Sequence, residues 1–321
     1  MSRRYINQLA ERDQVNEIYL IADKQLRANR QGNMYLQLRL ADKTGQVTGM
    51  LWNATDKIAS LIESGQYGRV TGTMHMHNNQ LQMIVSKVER IPADQVDEAD
   101  FQTLQSADVE RLTRRLTELL REIHNVHLRN LAECFLIDEA FMAKFTTAPA
   151  GVKNHHAFRG GLLEHVVSLM ELCGSVAPHY PEIDAELLRI GAFLHDAGKV
   201  DELTYDKEFG YSDEGQLIGH VVMAVGMVEH KAGEAEKLSG EAFPRELLLR
   251  IQHMIVSHHG EYAFGSPKLP MTMEAVALHY LDNLDAKMHN VSVLLQEDNG
   301  SDSHWTSFHA PLGRKFFKGS R

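Results

Sequence analysis

The period of the hydrophobic pattern changes once along this chain, and that change limits the folds open to it. Residues 5–91 carry strand patterns. Ile18-Tyr19-Leu20-Ile21 is an apolar run, Tyr35-Leu36-Gln37-Leu38-Arg39-Leu40 alternates with period two, and Val47-Thr48-Gly49-Met50-Leu51-Trp52 follows the turn Asp42-Lys43-Thr44-Gly45. A short helical interlude is expected over 55–64. Two further strands, Gly68–His75 and Gln80–Val88, would turn at Asn78-Asn79. From about Val109 to about residue 296 the apolar spacing is helical, in segments 109–123, 127–145, 160–177, 183–197, 217–238, 244–258 and 272–295. Between the two regimes, residues 92–108 (PADQVDEADFQTLQSAD) are acidic, polar and opened by a proline, and read as a linker. A run of strands followed by a run of helices predicts two domains, one all-β and one all-α, and 321 residues suffice for both.

Composition narrows the class. With 43% hydrophobic residues the chain can pack a globular core, so wholesale disorder is excluded. No apolar run approaches the roughly 18 residues that a membrane span requires, and MSRRYINQLAERDQ has no secretory h-region. Cys134 and Cys173 are too few for a disulfide framework and read as reduced core residues. Together these features point to the cytoplasm. The net charge of −10 argues mildly against nucleic acid, but it is unevenly spread: residues 1–90 hold 12 Lys and Arg against 8 Asp and Glu. A basic module joined to an acidic one suggests divided labour, with the first holding a polyanion and the second cations. An excess of four charges is equally ordinary for ninety residues.

Five strands with a helix between the third and fourth is the order of an OB-fold barrel. Such barrels bind single strands through a basic groove and aromatic platforms for base stacking. Candidates here are Tyr35 and Trp52 as platforms, with Lys24, Arg27, Arg30, Lys43 and Arg69 along the backbone path. The competing expectation is that an aromatic on such a strand belongs to the core. His75 and His77 are expected to face water.

The helical half carries the chemistry. The chain has 18 histidines, and several stand in telling company: Glu164-His165, His195-Asp196, Gly219-His220, His258-His259 and Asp282-Asn283-Leu284-Asp285. An adjacent His-Asp pair puts an imidazole and a carboxylate within reach of one cation, and the carboxylate has two oxygens with which to bridge two. Such ligands suit Mn²⁺, Fe²⁺ or Mg²⁺, and the lack of a cysteine cluster argues against structural zinc. The run Leu-Leu-Arg-Ile-Gly-Ala-Phe-Leu-His-Asp-Ala-Gly-Lys (187–199) would bury a helix, end or bend it at Gly198, and leave Lys199 just beyond, where an ammonium can meet a metal-bound phosphate. His253 and His279 lie in apolar helical runs and read as structural.

The order H…HD…H…HH…D over residues 150–292 resembles the HD-domain phosphohydrolase superfamily. With the N-terminal module, and with Asn154-His155-His156-Ala157-Phe158, Gly160-Gly161-Leu162-Leu163-Glu164-His165 and Leu281-Asp282-Asn283-Leu284-Asp285-Ala286-Lys287, the whole chain resembles the YhaM-type 3′–5′ exoribonuclease family. The resemblance implies an OB-fold domain at 1–91, the linker at 92–108, an HD-domain helical bundle at 109–296 and a tail at 297–321. It implies a first divalent metal on His165, His195, Asp196 and Asp282, and a second on His220, His258 and His259, with Asp196 bridging. Manganese is favoured over Fe²⁺ or Mg²⁺. Asp285, about one turn from Asp282, is its alternative as ligand or else a supporting carboxylate. His155 and His156 would contact substrate phosphate or cap a loop. Asp196 and Lys199 form the catalytic set, and the 3′-to-5′ direction enters only through this resemblance.

Two rival functions keep the same residues. An HD hydrolase of small nucleotides would need no strand-holding module. A variant of that reading, an HD-GYP phosphodiesterase, would carry Gly-Tyr-Pro where this chain has Gly265-Ser266-Pro267-Lys268-Leu269-Pro270. A non-catalytic nucleic-acid-binding protein with a structural metal would not need every ligand position filled. The expected partners are single-stranded RNA, with single-stranded DNA as a further possibility, and other copies of the chain in a homo-oligomer. The tail ends in a basic stretch from Arg314-Lys315 to Arg321 that suits phosphate or a neighbour, unless it is a disordered terminus.

Overall fold

The structure is a computed structural model that describes residues 3–319, apart from 30, 31, 78, 79, 98, 99, 102, 103, 105, 152–157, 206–209, 298–302, 307, 310 and 311. The chain forms two compact units. One comprises residues 1–103 with 291–321, and the other is built from residues 104–205 and 210–290.

In the first unit, β1 (Gln14–Ala28), β2 (Met34–Asp42), β3 (Gly45–Trp52), β4 (Tyr67–His77) and β5 (Gln80–Ile91) close into a barrel of order β1-β2-β3-β5-β4. All pairs are antiparallel except β3 with β5. Helix α1 (Asp56–Leu61) joins β3 to β4, and the Thr55 side chain caps it by accepting from the Ile58 N–H. Period-two alternation fills the barrel. Leu36, Leu38 and Leu40 on β2 point inward with Val47, Val70, Met74, Met83 and Val85, while Gln37 and Arg39 point out. Burying each such aliphatic side chain contributes about 1.5–3 kcal/mol.

The segment read as a linker is ordered at its end. Asp100 accepts from the Tyr5 hydroxyl (2.6 Å) and the Arg3 guanidinium (2.9 Å), with Lys43 Nζ at 3.5 Å. The Phe101 ring lies under the Arg3 guanidinium and makes a tilted contact with Tyr67. The boundary between the units falls just beyond, before Leu104, which is buried in the helical core. The tail is ordered in part as well, with isolated β-bridges Trp305–Phe317 and His309–Arg314.

The second unit is helical: α2 (Ser106–Arg121), α3 (Val126–Leu136), α4 (Glu139–Phe145), α5 (Gly161–Val176), α6 (Ala185–Leu194), α7 (Lys199–Glu202), α8 (Asp213–Ile218), α9 (His220–Ser239), α10 (Arg245–Ser257) and α11 (Met273–Glu297). The expected helix at 127–145 is two, because Asp138 caps a new N-terminus with its carboxylate on the Phe141 N–H. The expected helix at 217–238 is also two, because Gly219 at φ 79° breaks the path. Helix α7, helix α8 and the ribbon β6 (Leu203–Thr204) with β7 (Gly210–Tyr211) are too short to give a periodic signal.

Helix α6 is the axle of this unit. Asp184 caps it, accepting from the Glu186 and Leu187 N–H groups. Leu187, Leu188, Ile190, Ala192, Phe193 and Leu194 are all buried. Apart from Ala185, Glu186 and Arg189 near its start, the helix is buried, so the residues that follow its C-terminus, His195 and Asp196, are delivered into the interior.

Candidate active site

Six histidines and aspartates from five helices converge around Asp196. His165, near the start of α5, is fully buried. Its Nε2 lies 3.2 Å from Asp282 Oδ1 on α11 and 3.3 Å from His195 Nε2. His165, His195 and Asp282 present ligand atoms within 4.8 Å of one another. A second group, His220, His258 and His259, does the same. His220 opens α9, and His258 and His259 follow α10.

Asp196 stands between the groups. Its Oδ2 faces the first, 3.2 Å from His195 Nε2, and its Oδ1 faces the second, 3.5 Å from His220 Nε2 and 3.7 Å from His258 Nε2. This is the placement that a bridging carboxylate needs.

Four of the imidazoles are held the same way, by the far nitrogen. His195 Nδ1 donates to the Ala192 carbonyl (2.9 Å), and His258 Nδ1 to the Ile255 carbonyl (2.7 Å). A carbonyl oxygen carries no proton, so Nδ1 must carry it and Nε2 is left with its lone pair toward the centre. His220 Nδ1 meets Glu202 Oε1 (2.9 Å), and His165 Nδ1 meets Asp285 Oδ2 (2.8 Å). Asp285 is fixed in turn by the Ser168 hydroxyl at 2.7 Å. Metal-ligating histidines are oriented in this manner. Asp282 thus faces the cluster, while Asp285 supports His165 from behind.

The electrostatics agree. Burial disfavours charge on His258 and His259, and the neighbouring imidazoles add to it, so both pKa values fall and the rings stay neutral. His165 is the exception: burial opposes its charge, but Asp282 and Asp285 outweigh it and raise its pKa to about 9, so a cation at its Nε2 would have to displace a proton. Asp196 is buried, yet Lys199 and His195 hold its carboxyl well below the usual range. Glu202 is lowered too, where His220 outweighs the effect of burial.

Whether a metal pair fits can be judged from unmet polar groups. Among the described residues, buried Asp196 Oδ1, His220 Nε2 and His259 Nδ1 have no hydrogen-bond partner. Leaving such atoms unpaired costs about 1–3 kcal/mol each, and a divalent cation satisfies lone pairs of this type. The donor set of imidazoles and carboxylates fits a hard or borderline divalent ion.

Comparison with known proteins agrees with the geometry. A family model described as HD domain matches residues 162–287, and one described as an OB-fold nucleic acid binding domain matches residues 20–91. A protein of Geobacillus sp. (strain WCH70) named 3′-5′ exoribonuclease YhaM is 36% identical over 269 residues, covering 83% of this chain and 80% of the relative. A protein of the same name from Bacillus subtilis (strain 168) is 33% identical, covering 88% of each. The chain belongs to the YhaM exoribonuclease family.

In this YhaM-family chain, α6 ends at Leu194, and Lys199 stands beyond that end as the first residue of α7. Lys199 Nζ is 2.7 Å from both Asp196 Oδ2 and the Ala150 carbonyl, so it offsets the charge of Asp196. Gly198, just before α7, keeps a right-handed helical backbone, and the space around it is the tighter constraint. A Cβ there would lie 2.1 Å from the His220 carbonyl oxygen, and one at Gly215 would lie 2.3 Å from that of Glu202.

On the barrel, Arg27, Tyr35 and Trp52 pair across β1, β2 and β3 in a single row. Tyr35 and Trp52 are in ring contact at 5.1 Å, and Trp52 is 46% exposed, so it is not core. Lys24 is different. It pairs with Leu38 and so shares the inward phase of Leu26 and Leu36, and its ammonium binds the Ala59 and Ile62 carbonyls around α1. Lys43 is held by Asp100 and lies over the Tyr5 ring. His155, His156 and Arg30 lie outside the described residues. His253 accepts from the Met271 N–H, and His279 donates to the His258 carbonyl, supporting that ligand's backbone. Glu202 escaped the sequence reading. Its only signal is an acidic residue in the turn that follows His-Asp, and its partner is 18 residues away.

Proposed function

We propose that this protein is a metal-dependent 3′–5′ exoribonuclease that shortens single-stranded RNA to nucleoside monophosphates. The observation that carries the reading is Asp196 aimed with one oxygen at each of two three-residue ligand groups. His165, His195, Asp196 and Asp282 would hold one divalent cation, and His220, His258 and His259, with Asp196, a second; manganese is favoured. Such a pair supplies a nucleophile at neutral pH and a Lewis acid for the phosphate. The residues do the rest. Asp285, Glu202 and the Ala192 and Ile255 carbonyls hold each imidazole proton on the far nitrogen. Lys199 keeps Asp196 ionised and adds positive charge beside the phosphate. The polarity of degradation rests on the relatives' name.

On the barrel, Tyr35 and Trp52 would stack bases while Arg27 follows the backbone. Stacking and phosphate contacts ignore the sugar, so single-stranded DNA is a second candidate substrate. Among the described residues no helix is long and apolar enough to cross a membrane, and Cys134 and Cys173 are free and buried, which suits a reducing cytoplasm. Self-association is supported by α11, whose outward face carries exposed Met273, Val276, Tyr280, Leu284 and Met288 at spacings of three and four. Such a stripe matches a second copy of itself across a two-fold axis.

The test uses 5′-labelled RNA of about 20 nucleotides with Mn²⁺, with EDTA, and with Asp196→Asn. The expected result is a ladder shortening from the 3′ end with Mn²⁺ alone. Intact RNA beside hydrolysed nucleoside phosphates would overturn it in favour of a small-nucleotide hydrolase.

A further inference from the structure

The C-terminal tail is built in a way that the reading above leaves unused. Residues 303–321 contain four Lys and Arg and no Asp or Glu, whereas residues 91–290 hold 17 basic against 32 acidic residues. The tail is therefore net positive, as residues 1–90 are, while the stretch between them is acidic. Within the tail stand Trp305, Phe308 and Phe317, which are 51%, 61% and 60% exposed. A terminus that leaves three large aromatic rings in water forgoes about 1.5–3 kcal/mol of burial for each.

The backbone that carries Trp305 and Phe317 is hydrogen-bonded in place. The Thr306 N–H donates to the Phe316 carbonyl (2.8 Å), the Phe316 N–H to the Thr306 hydroxyl (2.9 Å), and the Lys318 N–H to the His304 carbonyl (2.7 Å). His304 Nδ1 donates to the Gly319 carbonyl (3.0 Å), and the His309 N–H to the Arg314 carbonyl (3.0 Å). The result is a short antiparallel ribbon that turns near Gly313. Along it, Thr306 points inward and is buried, so the next positions, Trp305 and Phe317, point out together. Their rings are 5.1 Å apart. Lys315, two residues from Phe317, shares the outward phase, and Arg314 is exposed at the turn.

We propose that this ribbon is a second binding site for single-stranded RNA, with Trp305 and Phe317 as its base-stacking platform and Arg314 and Lys315 contacting phosphates. The combination is what sequence-tolerant strand binders use: aromatic faces for bases and cations for the backbone. Charge selects the occupant, since a polyanion complements a stretch that carries four cations and no Asp or Glu. The tail belongs to the same compact unit as the barrel, so the two strand-binding surfaces would lie on one body. The site rests on RNA being the substrate, and it lengthens the footprint without touching the reacting phosphate.

The test measures binding of the full-length protein to a fluorescent 20-nucleotide RNA in EDTA, across a salt series, alongside Mn²⁺-dependent hydrolysis of a dinucleotide. The variants are Trp305→Ala with Phe317→Ala, and separately Arg314→Glu with Lys315→Glu, which alters only exposed side chains. The aromatic pair should weaken RNA binding at least tenfold. The charge pair should do likewise and flatten the slope of log affinity against log salt by about 1.4, the share of two phosphate contacts on a single strand. Both variants should hydrolyse the dinucleotide at the wild-type rate. Wild-type RNA affinity in both variants overturns the proposal. So does a fall in oligomer mass with affinity unchanged, which would assign the tail to a contact between copies. A wild-type protein that neither binds nor shortens RNA defeats the exoribonuclease reading itself, an outcome distinct from either.

Discussion

The barrel and the helical unit treat polar side chains in opposite ways. On the barrel, Arg27, Tyr35 and Trp52 lie in a cross-strand row at the surface, where water serves them when no ligand is bound. In the helical unit, His165, His195, Asp196 and His258 are buried, and Asp196 Oδ1 and His220 Nε2 have no partner among the described residues. An exposed site gains affinity contact by contact, so losing one residue weakens it by a step. A buried polar cluster is worth little until it is completely satisfied, so losing one member disables the whole.

The largest effect that tests this contrast is Asp196→Asn. It should lower RNA hydrolysis by at least ~10³-fold while leaving RNA affinity in EDTA within about twofold. A variant that kept a tenth of the wild-type rate would break the contrast. Next comes Glu202→Gln, which removes the carboxylate that orients His220. Mn²⁺ titration by calorimetry should show affinity at the second ligand group falling about 10–100-fold, and an unchanged isotherm would reduce Glu202 to a packing residue. On the barrel, Trp52→Ala should weaken binding of a 20-nucleotide RNA by about 1–3 kcal/mol and leave dinucleotide turnover alone. Equal losses in both assays would mean that the two surfaces are not separable.

The smallest effect concerns the barrel's own stability. Partial burial works against charge on Asp100, but the Tyr5 hydroxyl, Arg3 and Lys43 outweigh it and hold the carboxyl below its usual range. A depressed folded pKa contributes stability above the unfolded value of about 3.9, and that stability is lost as pH falls through the folded value. Asp100→Asn should therefore cost about 1 kcal/mol at pH 7 and progressively less as pH falls below the unfolded value, read from urea midpoints of the barrel's unfolding. An undiminished loss at low pH would assign the effect to packing.

Much of this was legible in the sequence wherever a signal repeats. Period-two runs marked the barrel strands because one face of each is core, and the paired His and Asp residues announced themselves by adjacency. What escaped was set by single contacts between distant residues. Gly219 and Asp138 divide helices that periodicity joins. Lys24 looked like a surface cation, but strand phase turns it inward, and only pairing with Leu38 reveals that phase. Glu202 has no neighbouring histidine in the chain, and Asp282 and Asp285 are told apart only by which side of His165 each one meets.

Gly198 and Gly215 bear on how such a centre can change over time. At each, backbone rests on backbone with no room for a single carbon. Neither residue touches a cation, a base or a phosphate, yet any side chain there would push the strand of chain carrying His220 away from the one carrying Asp196. A library of variants scored for growth or turnover should therefore find these two positions as intolerant as the ligands themselves. The spacing between the two ligand groups thus rests on a main-chain fit rather than on any one side chain.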